Sequence, residues 1–385
     1  MSPSLYPGET LVTIAGHPTI YHYSSSSNPP SPNKPLLVLI PGSLHLARIF
    51  YGGHPTSSPT NFLTHHLNQQ GYDVLSLSYP LETKPPLMPT AASNTFRIPD
   101  WGHQAALTTQ KVLQETTSHP TTTTTTRPIV LIAWSMAGRM VVPFTVSARA
   151  LGLDVRLCIG FAATPGFSAI RPVAPGIVCS GEGFFTVPAR VEDFCAQIRE
   201  MEEGNGCGEG EGGSSNGGEI IPREVYLRDY VGGTPINLIG LRLKYDSAIS
   251  GFVRDEVAHE DETRVLEMGL FPMISAVYPT GVMDASHAIA DRATWGFLLT
   301  YKLEAMIGEM GGWERFKKKK KKGSKETWEK LVRLVHEAPD RLCMSAPGNH
   351  FFFVGERAAR EVAAQVDGLV EEAAALEKEL REFFI

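Results

Sequence analysis

Residues 128–144 read PIVLIAWSMAGRMVVPF. An apolar run from Ile129 to Trp134 leads straight into Ser135, and the stretch beyond it, as far as Leu151, has helical spacing. Uninterrupted apolar sequence suits a strand buried on both faces of a parallel sheet. Ala133 and Ala137 stand two residues to either side of the serine, and Gly138 follows. Small residues there let the chain turn sharply from strand to helix. The turn would aim the Ser135 hydroxyl out of the sheet edge, beside a helix N-terminus where an oxyanion is stabilised. The same residues also suit a serine that merely fills a tight, buried strand–helix junction, so the choice depends on the rest of the chain.

The neighbouring sequence repeats the pattern. KPLLVLIPG (34–42), YDVLSLSYP (72–80) and VRLCIGFAA (155–163) read as strands. They alternate with helical stretches such as NFLTHHLNQQG and WGHQAALTTQKVLQ, the latter with Asp100 in place to N-cap it. LVTIAGHPTIYHYS reads as an opening hairpin that turns at Gly16–His17. Alternation of this kind predicts an α/β fold with a mostly parallel central sheet flanked by helices. It stops near Thr164 and resumes with FPMISAVYP and RLCMSAPG, ahead of a long C-terminal helix. Residues 1–165 and 271–385 are therefore expected to form the core, and 166–270 an inserted, mainly helical cap. Within it, VEDFCAQIREMEE and TRVLEMGL have helical spacing, and the glycine-rich tract 204–218 suits a flexible loop. The run Thr121–Thr126 suits a surface loop expansion. Lys317–Lys322 suits a solvated loop or, less commonly, a polyanion patch.

The chain has 385 residues, 42% of them hydrophobic and 20% charged, and a formal net charge of -6. That charge argues against nucleic acid as the main partner. Five cysteines, Cys158, Cys179, Cys195, Cys207 and Cys343, form no Cys-x-x-Cys pair and are odd in number. They predict a reduced, cytoplasmic chain with neither a disulfide framework nor a zinc site. MSPSLYPGETLVTIAG lacks the basic start and apolar core of a secretory signal. No uncharged apolar run reaches the roughly 20 residues of a membrane span. The glycine-rich GEGFF and GNGCGEG lack the strand-then-helix context of a phosphate or dinucleotide loop, so no cofactor is expected.

The strand–Ser135–helix stretch, Gly281-Val-Met-Asp284 after the strand FPMISAVYP, and DRLCMSAPGNHFFFVGERAAREVAAQV with His350 in its turn together resemble the α/β-hydrolase superfamily. The resemblance covers 35–165 and 270–366 and omits the cap. It departs from the family pattern at Ala133 and Ala137, where glycine is usual, and at Pro41-Gly42, where His-Gly is frequent. It implies a triad of Ser135, Asp284 and His350, with Asp291 as the rival acid and His287 as a surface or local hydrogen-bonding histidine. It also implies an oxyanion hole from the amide of Met136 and that of Ser43 or Leu44. His45 would sit at the pocket entrance at most, and 51–54 would form a mobile rim.

The implied activity is hydrolysis of a carboxylic ester or thioester through an acyl-enzyme, with no metal or organic cofactor. Trp134, His45, Phe184 and Phe185 are candidate substrate contacts. With Phe167, Phe194, Tyr226 and Tyr230 of the cap, they favour an apolar small-molecule acyl substrate, polyketide-like or lipid-like, although such aromatics also serve simply to pack a cap. Two further classes stay open on this fold: a non-acylating lyase or cyclase of specialised metabolism, and a ligand-binding protein with little turnover. The oligomeric state is left open.

Overall fold

The computed structural model describes residues 4–26, 34–89, 95–116, 127–167, 176–206, 219–312, 314 and 323–384. The threonine run 121–126, the lysine run 317–322 and residues 207–218 of the glycine-rich tract lie outside them.

Strands β1 (Glu9–Ile14) and β2 (His17–Ser24) form the opening hairpin. Its two turn residues are Ala15 and Gly16, with φ of 50° and 81°, one position earlier than expected. Both positive angles match the twist of a two-residue hairpin loop. Next come β3 (Leu36–Ile40), β4 (Asp73–Ser78), β5 (Ile129–Trp134) and β6 (Val155–Phe161). Between β6 and the later strands lie β7 (Val178–Cys179), β8 (Phe184–Thr186), β9 (Thr234–Pro235), β10 (Leu243–Asp246) and β11 (Gly251–Arg254). The last are β12 (Met273–Pro279) and β13 (Cys343–Ala346). Eight of them form one sheet in the order β1-β2-β4-β3-β5-β6-β12-β13. β1, β2 and β4 pair antiparallel, and every pair from β4 to β13 is parallel. Every residue of β3, β4 and β5 is buried, so helices must cover both faces, as their apolar runs require.

The helices are α1 (Arg48–Tyr51), α2 (Leu63–Gln69), α3 (Ile98–Thr116), α4 (Val141–Ala150), α5 (Pro188–Gly206), α6 (Arg223–Val225), α7 (Glu256–Thr263), α8 (Ala285–Glu309), α9 (Gly323–Leu342) and α10 (Glu356–Glu382). α3 packs on α4, and α2 packs on α10. α10 buries Ala359, Val362, Ala363, Val366, Leu369, Ala373, Leu376 and Leu380, the three-and-four spacing of one apolar helix face. α3 starts two residues before Asp100, whose carboxylate accepts the Arg97 amide at 2.9 Å from inside the first turn. A tight 3-10 stretch, Ser135–Met140, precedes α4.

The described part of 166–270 contains helix, and also two small sheets, β7-β8-β9 and β10-β11. α5 extends through residue 206, taking in the start of the glycine-rich tract. TRVLEMGL is not a helix. α7 ends at Thr263, Arg264 turns left-handed with φ 50°, and only a single 3-10 turn, Met268–Leu270, follows. Among the described residues, no helix is long and apolar enough to cross a membrane.

Candidate active site

β5 delivers Trp134 in extended conformation, and Ser135 then turns to φ 55°. A residue with a Cβ rarely adopts that angle, and holding it there costs about 1–3 kcal/mol. The surroundings enforce the turn. The Ser135 carbonyl accepts the Thr164 amide at 2.8 Å, which ties the turn to the end of β6. Gly42, just after β3, comes so close that a Cβ on it would stand 2.5 Å from the Ser135 Cβ and 3.0 Å from its Oγ. A Cβ on Gly138 would stand 2.5 Å from the Thr164 carbonyl oxygen. The close approaches therefore fall on Gly42 and Gly138. Ala133 and Ala137 are fully buried and meet no such demand, which is why alanine is tolerated at both.

β12 and β13 end side by side, with Pro279 opposite Ala346. Their loops are joined by the Thr280 amide to the Ala346 carbonyl (3.0 Å) and the Gly281 amide to the Gly348 carbonyl (2.7 Å). This brings His350 to Asp284, with Nδ1 at 2.7 Å from Oδ2 and both residues buried. Burial alone pushes the Asp284 carboxyl up. The charge and hydrogen bond of His350 outweigh that and hold it low, at about 2, so Asp284 accepts and His350 Nδ1–H donates. The lone pair of His350 then lies on Nε2, a buried atom with no hydrogen-bond partner among the described residues. The Ser135 hydroxyl is not bonded to it here; such bonds commonly close only around a substrate. Burial lowers the His350 pKa to about 4, more than Asp284 raises it. The histidine loop is also held from two sides. Trp134 Nε1–H donates to the His350 carbonyl (3.1 Å), and the His350 amide donates to Gln197 Oε1 of α5 (3.1 Å).

Asp291 binds a different histidine, His287, through Nδ1 at 2.7 Å. His287 is a local hydrogen-bonding residue and not a surface one: it is buried, and its ring centroid lies 5.1 Å from that of His350. Asp284, His287 and His350 also form the one group found among the described residues whose donor atoms, within 4.8 Å of one another, could converge on a cation. Hydrogen bonds to Asp284 and Asp291 already engage both Nδ1 atoms.

In the loop after β3, Tyr79 O–H donates to the Gly42 carbonyl (2.7 Å), and the Leu44 amide donates to Thr234 Oγ1 (2.7 Å). The Leu44 amide, one of the two expected oxyanion donors after β3, is thus already engaged. Met136 stands in the first turn of the 3-10 stretch, where amides lack an internal partner.

Several expected substrate contacts are instead internal. His45 does not stand at an entrance but is fully buried, with Nδ1–H donating to the Ser43 carbonyl (2.8 Å) and Nε2 accepting Tyr226 O–H (2.7 Å). Burial pulls its pKa down to about 3, so it stays neutral. Residues 51–54 are no mobile rim either, because Tyr51 O–H binds Glu9 and His54 Nδ1 binds the Tyr230 hydroxyl (2.6 Å each). Trp134 is buried behind the histidines, 4.8 Å from His45 and 5.1 Å from His350 by ring centroid. Phe184 is buried on β8, and Phe185 packs in a separate small core with Val187, Ile236 and Ile239. Phe167 packs on Phe297, while Tyr226 and Tyr230 pin His45 and His54.

Of the phenylalanines between 166 and 270 named above, Phe194 reaches the histidine, stacked on the His350 ring at 5.8 Å and 11°. Gln197 and Arg190 share its face of α5. The spacing 190, 194, 197 was visible in the sequence, but the face it would turn toward the histidine loop was not.

No protein-family model and no curated protein matches the sequence. Solved structures similar in overall shape include a soluble variant of monoglyceride lipase from Saccharomyces cerevisiae in complex with a substrate analog. It has a TM-score of 0.46 and 10% identity, and the match covers 98% of this chain and 97% of that one. An arylesterase scores 0.39 at 11% identity over 98% and 85% of the two chains. MenH from S. aureus scores 0.42 at 12% identity over 92% and 98%. The sheet is antiparallel only through β1, β2 and β4, parallel across every later pair, and crossed in the order β1-β2-β4-β3-β5-β6-β12-β13, which is the α/β-hydrolase fold.

Proposed function

We propose that the protein is a serine hydrolase that cleaves a carboxylic ester or thioester of a small molecule with an apolar acyl group. One observation carries the reading: a serine forced to φ 55° at the C-terminal edge of β5, on the same sheet edge as a buried histidine–aspartate pair at 2.7 Å. Ser135 Oγ attacks the acyl carbonyl carbon while its proton passes to His350 Nε2. The oxyanion is held by the Ser43 and Met136 amides. Collapse of the adduct expels the alcohol or thiol, which takes the proton from Nε2, and water repeats the sequence on the acyl-enzyme. Asp284 stays ionised throughout and holds the imidazolium. Residues 166–270 act as the cap, and Phe194 supplies the apolar wall beside His350. A reducing, cytoplasmic setting belongs to the same proposal, supported by free Cys158, Cys179, Cys195 and Cys343.

A fluorophosphonate probe tests the acyl-enzyme. Covalent labelling of Ser135, absent in Ser135→Ala, is the expected result. A folded protein that resists the probe would leave only the lyase, cyclase or ligand-binding readings. The pH profile is a second test. His350 acts as a base only when neutral, and burial lowers its pKa to about 4. The acid limb of kcat/KM should therefore lie near pH 4, with full activity kept at pH 5.5–6, where an ordinary imidazole of about 6.5 is mostly protonated. A limb at 6.5 would show that the base is exposed or is another group.

A further inference from the structure

α5 presents Arg190, Phe194, Gln197 and Met201 at spacings of four, three and four residues, which places them along one helix face. Three of these four side chains have evident tasks. Met201 lies against Gly348, Gln197 bonds the His350 amide and the Met283 carbonyl, and Phe194 stacks on the His350 ring. Arg190, one turn toward the N-terminus, lays its guanidinium over the Phe194 ring at 4.6 Å from the centroid. The guanidinium and the His350 imidazole thus lie against the same phenyl ring, so at most about 10 Å separates them.

Among the described residues no carboxylate pairs with Arg190. Glu192, its neighbour on α5, binds Arg223 (2.7 Å), and Glu200 accepts from Asn349 (2.5 Å). The side chain is half-buried. A cation removed in part from water, with no carboxylate paired to it among the described residues, is poised for an anion supplied by a ligand. Its field already reaches the site: it adds to the forces that hold Asp284 ionised and His350 and His45 neutral.

We propose that Arg190 is a specificity-determining residue that binds a carboxylate at the far end of the acyl chain, so that half-esters of dicarboxylic acids are preferred over neutral esters of equal length. This rests on the hydrolase reading above and names its substrate class: an apolar chain between the scissile ester and a terminal carboxylate. The planar fork of arginine matches a carboxylate through two parallel hydrogen bonds, which lysine does not reproduce.

The p-nitrophenyl half-esters of succinate, glutarate and adipate, each compared with the neutral p-nitrophenyl ester of equal length, give the test. In the unmodified protein, kcat/KM for the best half-ester should exceed that of its neutral partner by about 10- to 100-fold, as expected for a charged hydrogen bond. Arg190→Gln should bring that ratio to near one, chiefly through KM, and Arg190→Lys should keep part of it. The ratio should also shrink as salt is added. A ratio of one in the unmodified protein, or a ratio that Arg190→Gln leaves in place, would overturn the proposal and reduce Arg190 to a prop for Phe194.

Binding separates this inference from the catalytic one. Calorimetric titration of glutarate into Ser135→Ala should show saturable binding that Ser135→Ala/Arg190→Gln loses. If Ser135 resists the fluorophosphonate while glutarate binding depends on Arg190, the carboxylate site stands and hydrolysis does not. If Ser135 is labelled and neutral esters are cleaved, yet glutarate does not bind, hydrolysis stands and this inference fails.

Discussion

Replacing His350 with alanine is expected to lower kcat/KM for any ester turned over by the protein by roughly 10⁴- to 10⁶-fold, the range seen when a serine hydrolase loses its base. Binding and the oxyanion amides would sustain what remains. The acid partner can be assigned in the same experiment. Asp284 accepts the His350 Nδ1–H at 2.7 Å, so Asp284→Asn should cost about 10⁴-fold by favouring the wrong tautomer. Asp291 is bonded to His287, so Asp291→Asn leaves the Asp284–His350 bond in place and should cost far less. Equal losses from the two substitutions would mean that the acid has been misassigned. Circular dichroism of each variant would confirm that the sheet is intact.

The largest effect on stability is expected at Glu9, on the first strand of the sheet. Arg48 and Glu9 form a bidentate pair, Nε to Oε1 and Nη2 to Oε2 at 2.7 Å each, with side chains 1% and 0% exposed. Tyr51 O–H adds a third bond to the carboxylate at 2.6 Å, and the Tyr6 ring covers the guanidinium at 3.7 Å. Arg48 also donates to the Asp229 carbonyl (3.0 Å), within the short π-helical turn Tyr226–Tyr230 that holds His45 through Tyr226. Glu9→Ala leaves that guanidinium buried without the carboxylate it is paired with, which costs about 3–5 kcal/mol. Urea unfolding should report a loss of that size, and Glu9→Ala/Arg48→Met should recover much of it, because the penalty comes from the stranded charge. A loss below about 1 kcal/mol would show that water reaches the pair on mutation.

The sheet was legible in the sequence where each strand states its own environment. β3 and β5 must be apolar at every position because both their faces are covered, and that requirement is local. The serine turn was legible for the same reason: strand, small residues and helix follow one another within a few residues. The chain order of Ser135, Asp284 and His350 could likewise be read along a line, each after a strand that could end at the same edge.

Only tertiary structure decided which groups meet. Asp284 and Asp291 lie seven residues apart, about two helical turns, and nothing local states which of them faces His350. The Leu44 amide was engaged by Thr234, 190 positions along the chain, and His45 was internalised by Tyr226, 181 positions along. Phe184, Phe185 and Phe194 are alike in the sequence, yet only Phe194 turns toward the histidine, because α5 is anchored through Gln197 on that face. That no described carboxylate pairs with Arg190 is likewise a property of what surrounds it. Burial on two faces is written residue by residue along a strand, whereas the partner of a donor, an acid or a cation is set by which distant segments the closed sheet brings alongside it.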